Sequence, residues 1–150
     1  MALRIGEPES LSATIKKITN YRHKLVASKN YLKKNEKIKT PVDLMDHSLA
    51  AWNPKGKAIV WQLGEESLEI MPKVRSNDYS HMKYLALGSN YITELPPFFC
   101  AEELARGSLI EILPEFPFPE LQVSFVFPTT RNFSRITRVF LDFAVANLKL

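Results

Sequence analysis

Apolar and polar positions alternate along this chain in two periods, and the switching between them sets the expected order of elements. Short runs of period two predict strands at Ala2–Ile5, Ala13–Ile18, Lys24–Ala27, Val74–Ser76, Tyr91–Leu95, Leu109–Leu113 and Leu121–Phe127. Ala58–Leu63 and Ser67–Ile70 predict a hairpin, with Lys57, Gly64, Glu65 and Glu66 marking its ends and turn. The last strand breaks alternation at Phe125-Val126-Phe127, which predicts burial on both faces. Between the strands lie helical patterns with recognisable ends. Ser28 can cap a short helix running to Leu32, and Thr40-Pro41 opens another, with proline at its first position. Asn77 or Asp78 starts a helix that carries Met82, Leu85 and Ala86 inward and stops at Gly88, read as a left-handed C-cap. Pro97–Ala105 is a fourth helix, closed by Arg106-Gly107. Ser134 caps a fifth, expected to bury Ile136, Val139, Phe140, Phe143 and Leu148. Strands alternating with helices define an α/β chain.

Composition narrows the class without naming a function. The 150 residues suit one domain or part of one, and 45% hydrophobic with 24% charged is ordinary for a packed globular chain. No apolar run approaches the roughly 18 residues of a membrane span, and the first residues lack a signal-peptide stretch, so a cytoplasmic chain with no membrane partner is expected. The single Cys100 cannot form an internal disulfide. The net charge of +4 is concentrated between Lys29 and Lys39. With one tyrosine and no arginine fork, that stretch reads as a solvated face rather than a phosphate-binding patch.

Enzyme chemistry has little support. Neither G-x-G-x-x-G nor G-x-x-x-x-G-K-[ST] occurs, and there is no G-x-S-x-G elbow. His23, His47 and His81 are far apart, with no second ligand at metal spacing, and read as surface or half-buried residues. Cys100 reads as a small buried residue on a helix face. Glu65-Glu66 and Glu102-Glu103 are adjacent pairs whose side chains diverge, so neither makes a carboxylate dyad. No cofactor, no metal and no catalytic residue is expected.

Four segments, in order, carry a resemblance. Ala2-Leu3-Arg4-Ile5-Gly6-Glu7-Pro8 is similar to "A-[IL]-R-x-G". Leu25-Val26-Ala27-Ser28-Lys29-Asn30-Tyr31-Leu32, followed by Thr40-Pro41-Val42-Asp43-Leu44, is similar to "L-V-A-S-P-x-Y-L" and "x-P-x-D-L". Val74-Arg75-Ser76-Asn77-Asp78, leading to Ala86-Leu87-Gly88-Ser89-Asn90-Tyr91-Ile92 and Leu95-Pro96, is similar to "V-x-[ST]-N-D" and "A-x-x-G-x-G-I-x-x-[LV]-P". Gly107–Pro114, Val126-Phe127-Pro128 and the helix Arg138–Phe143 complete the series. Together they resemble the effector-binding domain of LysR-type transcriptional regulators. The chain departs from the pattern at Asn90, where the family has a second glycine, and at Lys29, where it often has proline.

The resemblance implies a two-lobed, periplasmic-binding-protein-like type II fold. Residues 1–22 would be a remnant of the first lobe, 23–118 the second lobe, and 119–150 the return to the first. The match starts inside the family's pattern, so Met1 is expected to mark a truncated frame or fragment lacking the winged helix-turn-helix. DNA would then be reached only through that absent part. The resemblance also implies a small organic effector, often an anion, in a cleft between lobes. Its contacts would be Arg4, Ser76, Asn77, Asp78, Gly88, Ser89 and Tyr91. Helix capping competes for Asn77, Asp78 and Gly88, and a structural salt bridge for Arg4. A homo-oligomer is expected. The competing functional readings are an interaction remnant that senses nothing, and an unrelated α/β enzyme.

Overall fold

The computed structural model describes residues 2–6, 13–53, 58–88, 90–128 and 134–147. They form two compact units, one made of residues 1–21 and 120–150, the other of residues 22–119.

The larger unit is built on a five-stranded mixed sheet of order β7-β4-β8-β3-β9. Its strands are β3 (Lys24–Ser28), β4 (Leu49–Trp52), β7 (Val74–Ser76), β8 (Ile92–Leu95) and β9 (Leu109–Glu111). β7, β4 and β8 run parallel, while β3 runs antiparallel to both β8 and β9. Period-two alternation sorts the side chains onto two cores. On one face Leu25, Ala27, Leu49, Ala51 and Ile92 meet Trp61, Leu63 and Ile70 of the hairpin β5 (Ile59–Leu63) and β6 (Glu66–Ile70). Phe118 from the Pro-Phe segment closes that core. On the other face Val26, Leu95 and Leu109 meet Met82 and Ala86 of α2 (Tyr79–Leu87) and Cys100 of α3 (Pro97–Arg106). Burial on this face pushes the Cys100 thiol up to about 11, which makes it inert as a nucleophile.

The local signals act as expected at most ends. Ser28 accepts the Tyr31 amide at 3.1 Å to start α1 (Lys29–Lys34). Asp78 accepts the Ser80 amide at 2.7 Å to start α2. Gly107 sits at φ +69° and closes α3. The stretch from Lys29 to Lys39 exposes all five of its lysines.

Three expectations change. Thr40-Pro41 opens a 3-10 turn, Pro41–Asp46, rather than an α-helix. Asp43 takes the backbone amides of both Lys39 and Thr40, which winds this short segment tightly. Gly88 is not left-handed: its φ is −65°, and a Cβ there would lie 3.3 Å from the Tyr84 carbonyl, so glycine answers a close approach instead. Leu85 is only half-buried, and it lines a groove rather than the core.

The smaller unit is an antiparallel sheet of order β1-β10-β2, with β1 (Ala2–Ile5), β2 (Ala13–Tyr21) and β10 (Leu121–Pro128). α4 (Arg135–Asn147) packs on it, capped by Ser134, whose hydroxyl accepts the Thr137 amide at 3.2 Å. Here the expected stripe is the wrong one. Leu141 and Ala144 face Phe125 and Phe127, Phe140 meets Phe125 edge-on with ring centroids 5.8 Å apart while staying partly exposed, and Ile136, Val139 and Phe143 are exposed. Leu148 lies outside the described residues. Two apolar stripes lie on this helix, and periodicity alone does not say which one meets the sheet.

Candidate functional site

The parallel strands β4 and β7 end side by side, with Trp52 paired to Ser76 and the Asn53 amide donating to the Ser76 carbonyl at 2.9 Å. The chain then turns through Asn77 and Asp78 into α2, so the first amides of that helix open beside the strand ends. In open α/β sheets, ligands bind at this carboxyl edge, where helix N-termini present unsatisfied N–H groups.

Aromatic rings form the wall of this edge. Trp52 stacks on Tyr79, with ring centroids 6.1 Å apart and planes 12° apart. Tyr79 Oη lies 3.1 Å from His23 Nε2, and the two rings are 5.4 Å apart. Phe99 and Phe118 flank them, against Tyr79 and His23 respectively. Burial holds His23 down to about 4, so its imidazole is neutral near pH 7. Beneath Trp52, the buried Glu94 accepts the Trp52 amide at 2.9 Å through Oε1. Its Oε2 has no partner in hydrogen-bond geometry, although the Trp61 indole lies near enough to favour the carboxylate electrostatically. Burial outweighs both and pushes Glu94 up to about 8. The aromatic wall therefore carries no fixed charge at neutral pH from either group.

The structure separates the residues named from sequence into three places. Ser76, Asn77 and Asp78 are contiguous at the β7–α2 turn. Ser76 Oγ accepts the Asp78 amide at 3.0 Å. The amide of Ser80 and the nearby His81 hold the Asp78 carboxyl below its ordinary range, so it is ionised. Gly88 lies at the far end of α2. It shares with Ser76 a groove of about 410 Å³ that runs along β7 and α2, lined also by Arg75, His81, Tyr84 and Asn90. Tyr91 is half-buried just before β8, and Ser89 lies outside the described residues. Arg4 belongs to the smaller unit. It is exposed on β1 opposite the buried Ser124, whose other neighbour in register is Lys17, so two cations flank one hydroxyl across that sheet.

Sequence reasoning passed over Trp52, Tyr79 and Glu94, and read His23 only as a surface or half-buried histidine, which its half-buried place matches. One signal was available: Glu94 interrupts the apolar run Ile92–Leu95, and a charge inside a central strand calls for a local reason.

A mixed sheet covered on its faces by helices and a hairpin, with parallel strands ending beside a helix N-terminus, defines an α/β domain. Within that class, the chain belongs to the LysR substrate binding domain family, whose model matches residues 1–149. The family is one of transcriptional regulators, with a periplasmic-binding-protein-like fold. An HTH-type transcriptional regulator of Haemophilus influenzae is 31% identical over 148 residues, covering 95% of this chain and 51% of that protein. The regulator PtxR of Pseudomonas aeruginosa is 23% identical, over 95% of this chain and 47% of its own length. The chain thus spans about half the length of the curated relatives it matches. The regulatory domain of CrgA from Neisseria meningitidis superposes with a TM-score of 0.84 at 24% identity, over 98% of this chain and 74% of that one. That likeness carries the fold. Among the described residues no helix is long and apolar enough to cross a membrane.

Proposed function

We propose that this chain is the effector-sensing portion of a cytoplasmic LysR-type regulator and that it binds a small organic anion without chemical turnover. The observation that carries this reading is the carboxyl edge of β4 and β7, where Trp52, Ser76 and the start of α2 converge beside the Tyr79–His23 pair. The rings supply an apolar face. The Asn77 amide supplies a donor, and the Ser76 hydroxyl, which donates to the Asp78 carbonyl at 3.3 Å, supplies a second when it exchanges that bond for the ligand. Asp78 is ionised and spent on the helix cap, so it repels an anion and sets the orientation of its carboxylate. In this reading residues 22–119 are the second lobe, and the smaller unit belongs to the first. DNA contact and homo-oligomeric assembly would complete the regulator, with occupancy of the site shifting the population of assembled states.

The test is a thermal-shift screen of the chain against small carboxylic acids, repeated with Trp52→Ala. A saturable rise in the melting temperature with one acid is expected, because a ligand that binds only the folded state stabilises it in proportion to occupancy. Loss of the ring should weaken that binding by about tenfold or more. A chain indifferent to every acid, or a response unchanged in Trp52→Ala, removes this site from consideration.

A further inference from the structure

Residues 29–39 carry five lysines against one glutamate, Glu36, so this stretch holds the whole net charge of +4 and the rest of the chain balances. All five lysines are exposed. Among the described residues none of their side chains enters an ion pair. The helix dipole favours Lys33 and Lys34 in the last turn of α1 but disfavours Lys29 in the first, so local structure does not account for the row.

A trough of about 540 Å³ lies beside these charges. Leu32 and Ile38, both packed against the core, line it from one segment, and Ile112, Leu113 and Pro114 line it from another. Leu113 sits at φ +52°, a left-handed conformation unfavourable for a residue with a Cβ, and this turn takes the chain off the line of β9 and brings Pro114 and Glu115 to the trough. Lys29 is three residues from Leu32 and four from Lys33, so the three share one face of α1. Lys37 and Lys39 line the trough itself, on either side of Ile38 in sequence. Unneutralised positive charge and an apolar floor therefore adjoin.

The acids select the occupant. Glu36, Glu111 and Glu115 line the same trough, and Glu111 is engaged by Lys24. A phosphate backbone laid there would meet these carboxylates with like charge. The stretch also offers it neither an arginine fork nor an exposed ring, since Tyr31 is buried. A peptide can turn its own acids towards the lysines and set an apolar side chain on the floor. We propose that the trough and its lysine row are a docking surface for an acidic, amphipathic peptide segment of a partner protein. Its carboxylates lie against Lys33, Lys37 and Lys39, and one apolar side chain is seated over Ile38 and Leu113.

The experiment is fluorescence anisotropy of the full chain with short labelled peptides. One peptide alternates glutamate with leucine, and a second keeps the glutamates but has serine for leucine. The first is expected to bind, and to bind less as salt rises, because its ion pairs are exposed. The second should bind about tenfold more weakly, having lost an apolar anchor. Lys33→Glu combined with Lys37→Glu should weaken the first peptide about tenfold or more, with the far-ultraviolet circular dichroism unchanged. Lys17→Glu combined with Arg106→Glu lowers the net charge as much at exposed positions outside the stretch, and should leave binding within about twofold. The comparison of the two peptides uses the parent chain, so it decides the matter even if a variant misfolds. No binding of the first peptide, equal binding of the two peptides, or equal losses in the two folded charge variants overturns the proposal. So does tighter binding of duplex DNA of arbitrary sequence, which would make the stretch a polyanion surface.

Discussion

Glu94 is a carboxyl group in a place where the sheet would accept leucine. It lies in β8 between Thr93 and Leu95, all three fully out of solvent, and its neighbours Ala51, Leu25 and Trp61 are apolar. It earns its position by one hydrogen bond, to the Trp52 amide, where β4 runs past its last register pair with β8. The neutral acid fits this setting and the ionised one does not, which is why Glu94 is raised to about 8 from an ordinary 4.5. The consequence for stability has a definite sign. Between about pH 4.5 and 8 the folded chain holds a proton that the unfolded chain has released. Glu94's contribution is thus fully present below the lower value and falls as pH rises through the upper one, by at most about 1.4 kcal/mol per pH unit. Glu94→Gln keeps an acceptor for Trp52 and cannot ionise. Its melting temperature, measured against pH, should match the parent near pH 4.5 and exceed it increasingly up to pH 8. Parallel curves would mean that the carboxyl titrates as if exposed.

At the scale of elements, the ends of helices were more legible than their faces. Ser28, Asp78 and Ser134 act at short range, through an amide two or three residues on, so the sequence near each cap suffices to find it. The two helix-ending glycines look alike in sequence and differ in space. Gly107 needs φ +69° and has nothing within 4 Å of an added Cβ. Gly88 is in an ordinary conformation but crowded by the Tyr84 carbonyl. Gly107→Ala should therefore cost about 1–2 kcal/mol of left-handed strain. In Gly88→Ala the small crowding opposes the ordinary preference for alanine, leaving a change within about 1 kcal/mol. Urea unfolding of the two variants separates the cases, and equal losses would refute the distinction. The faces were harder because they depend on partners distant in sequence. α4 has two apolar stripes, and the choice between them rests on where Phe125 and Phe127 come to lie. The same limit hid the candidate site. Ser76 and Asp78 could be found from a contiguous motif, whereas Trp52, Tyr79 and His23 meet only after β4, β7 and the start of β3 assemble.

At the scale of the whole chain, each core closes within its own unit. The two cores of residues 22–119 draw on five strands, a hairpin and three helices, whereas the smaller unit rests on Phe125, Phe127, Leu141 and Ala144 with Ile18 beside them. Stability follows buried apolar area, so the two units should not open together. Amide exchange read by mass spectrometry on dilute protein should find β3 and β8 slowest, since both have neighbours on each side in the sheet. The edge strand β1 and helix α4 should exchange orders of magnitude sooner. Fast exchange in α4 would also follow from its stripe, because a helix that presents Ile136, Val139 and Phe143 to water gains little from that face. Exchange in the two units at one common rate would mean that the chain opens as a single cooperative body and that the small core of the first unit is stabilised by more than its own side chains.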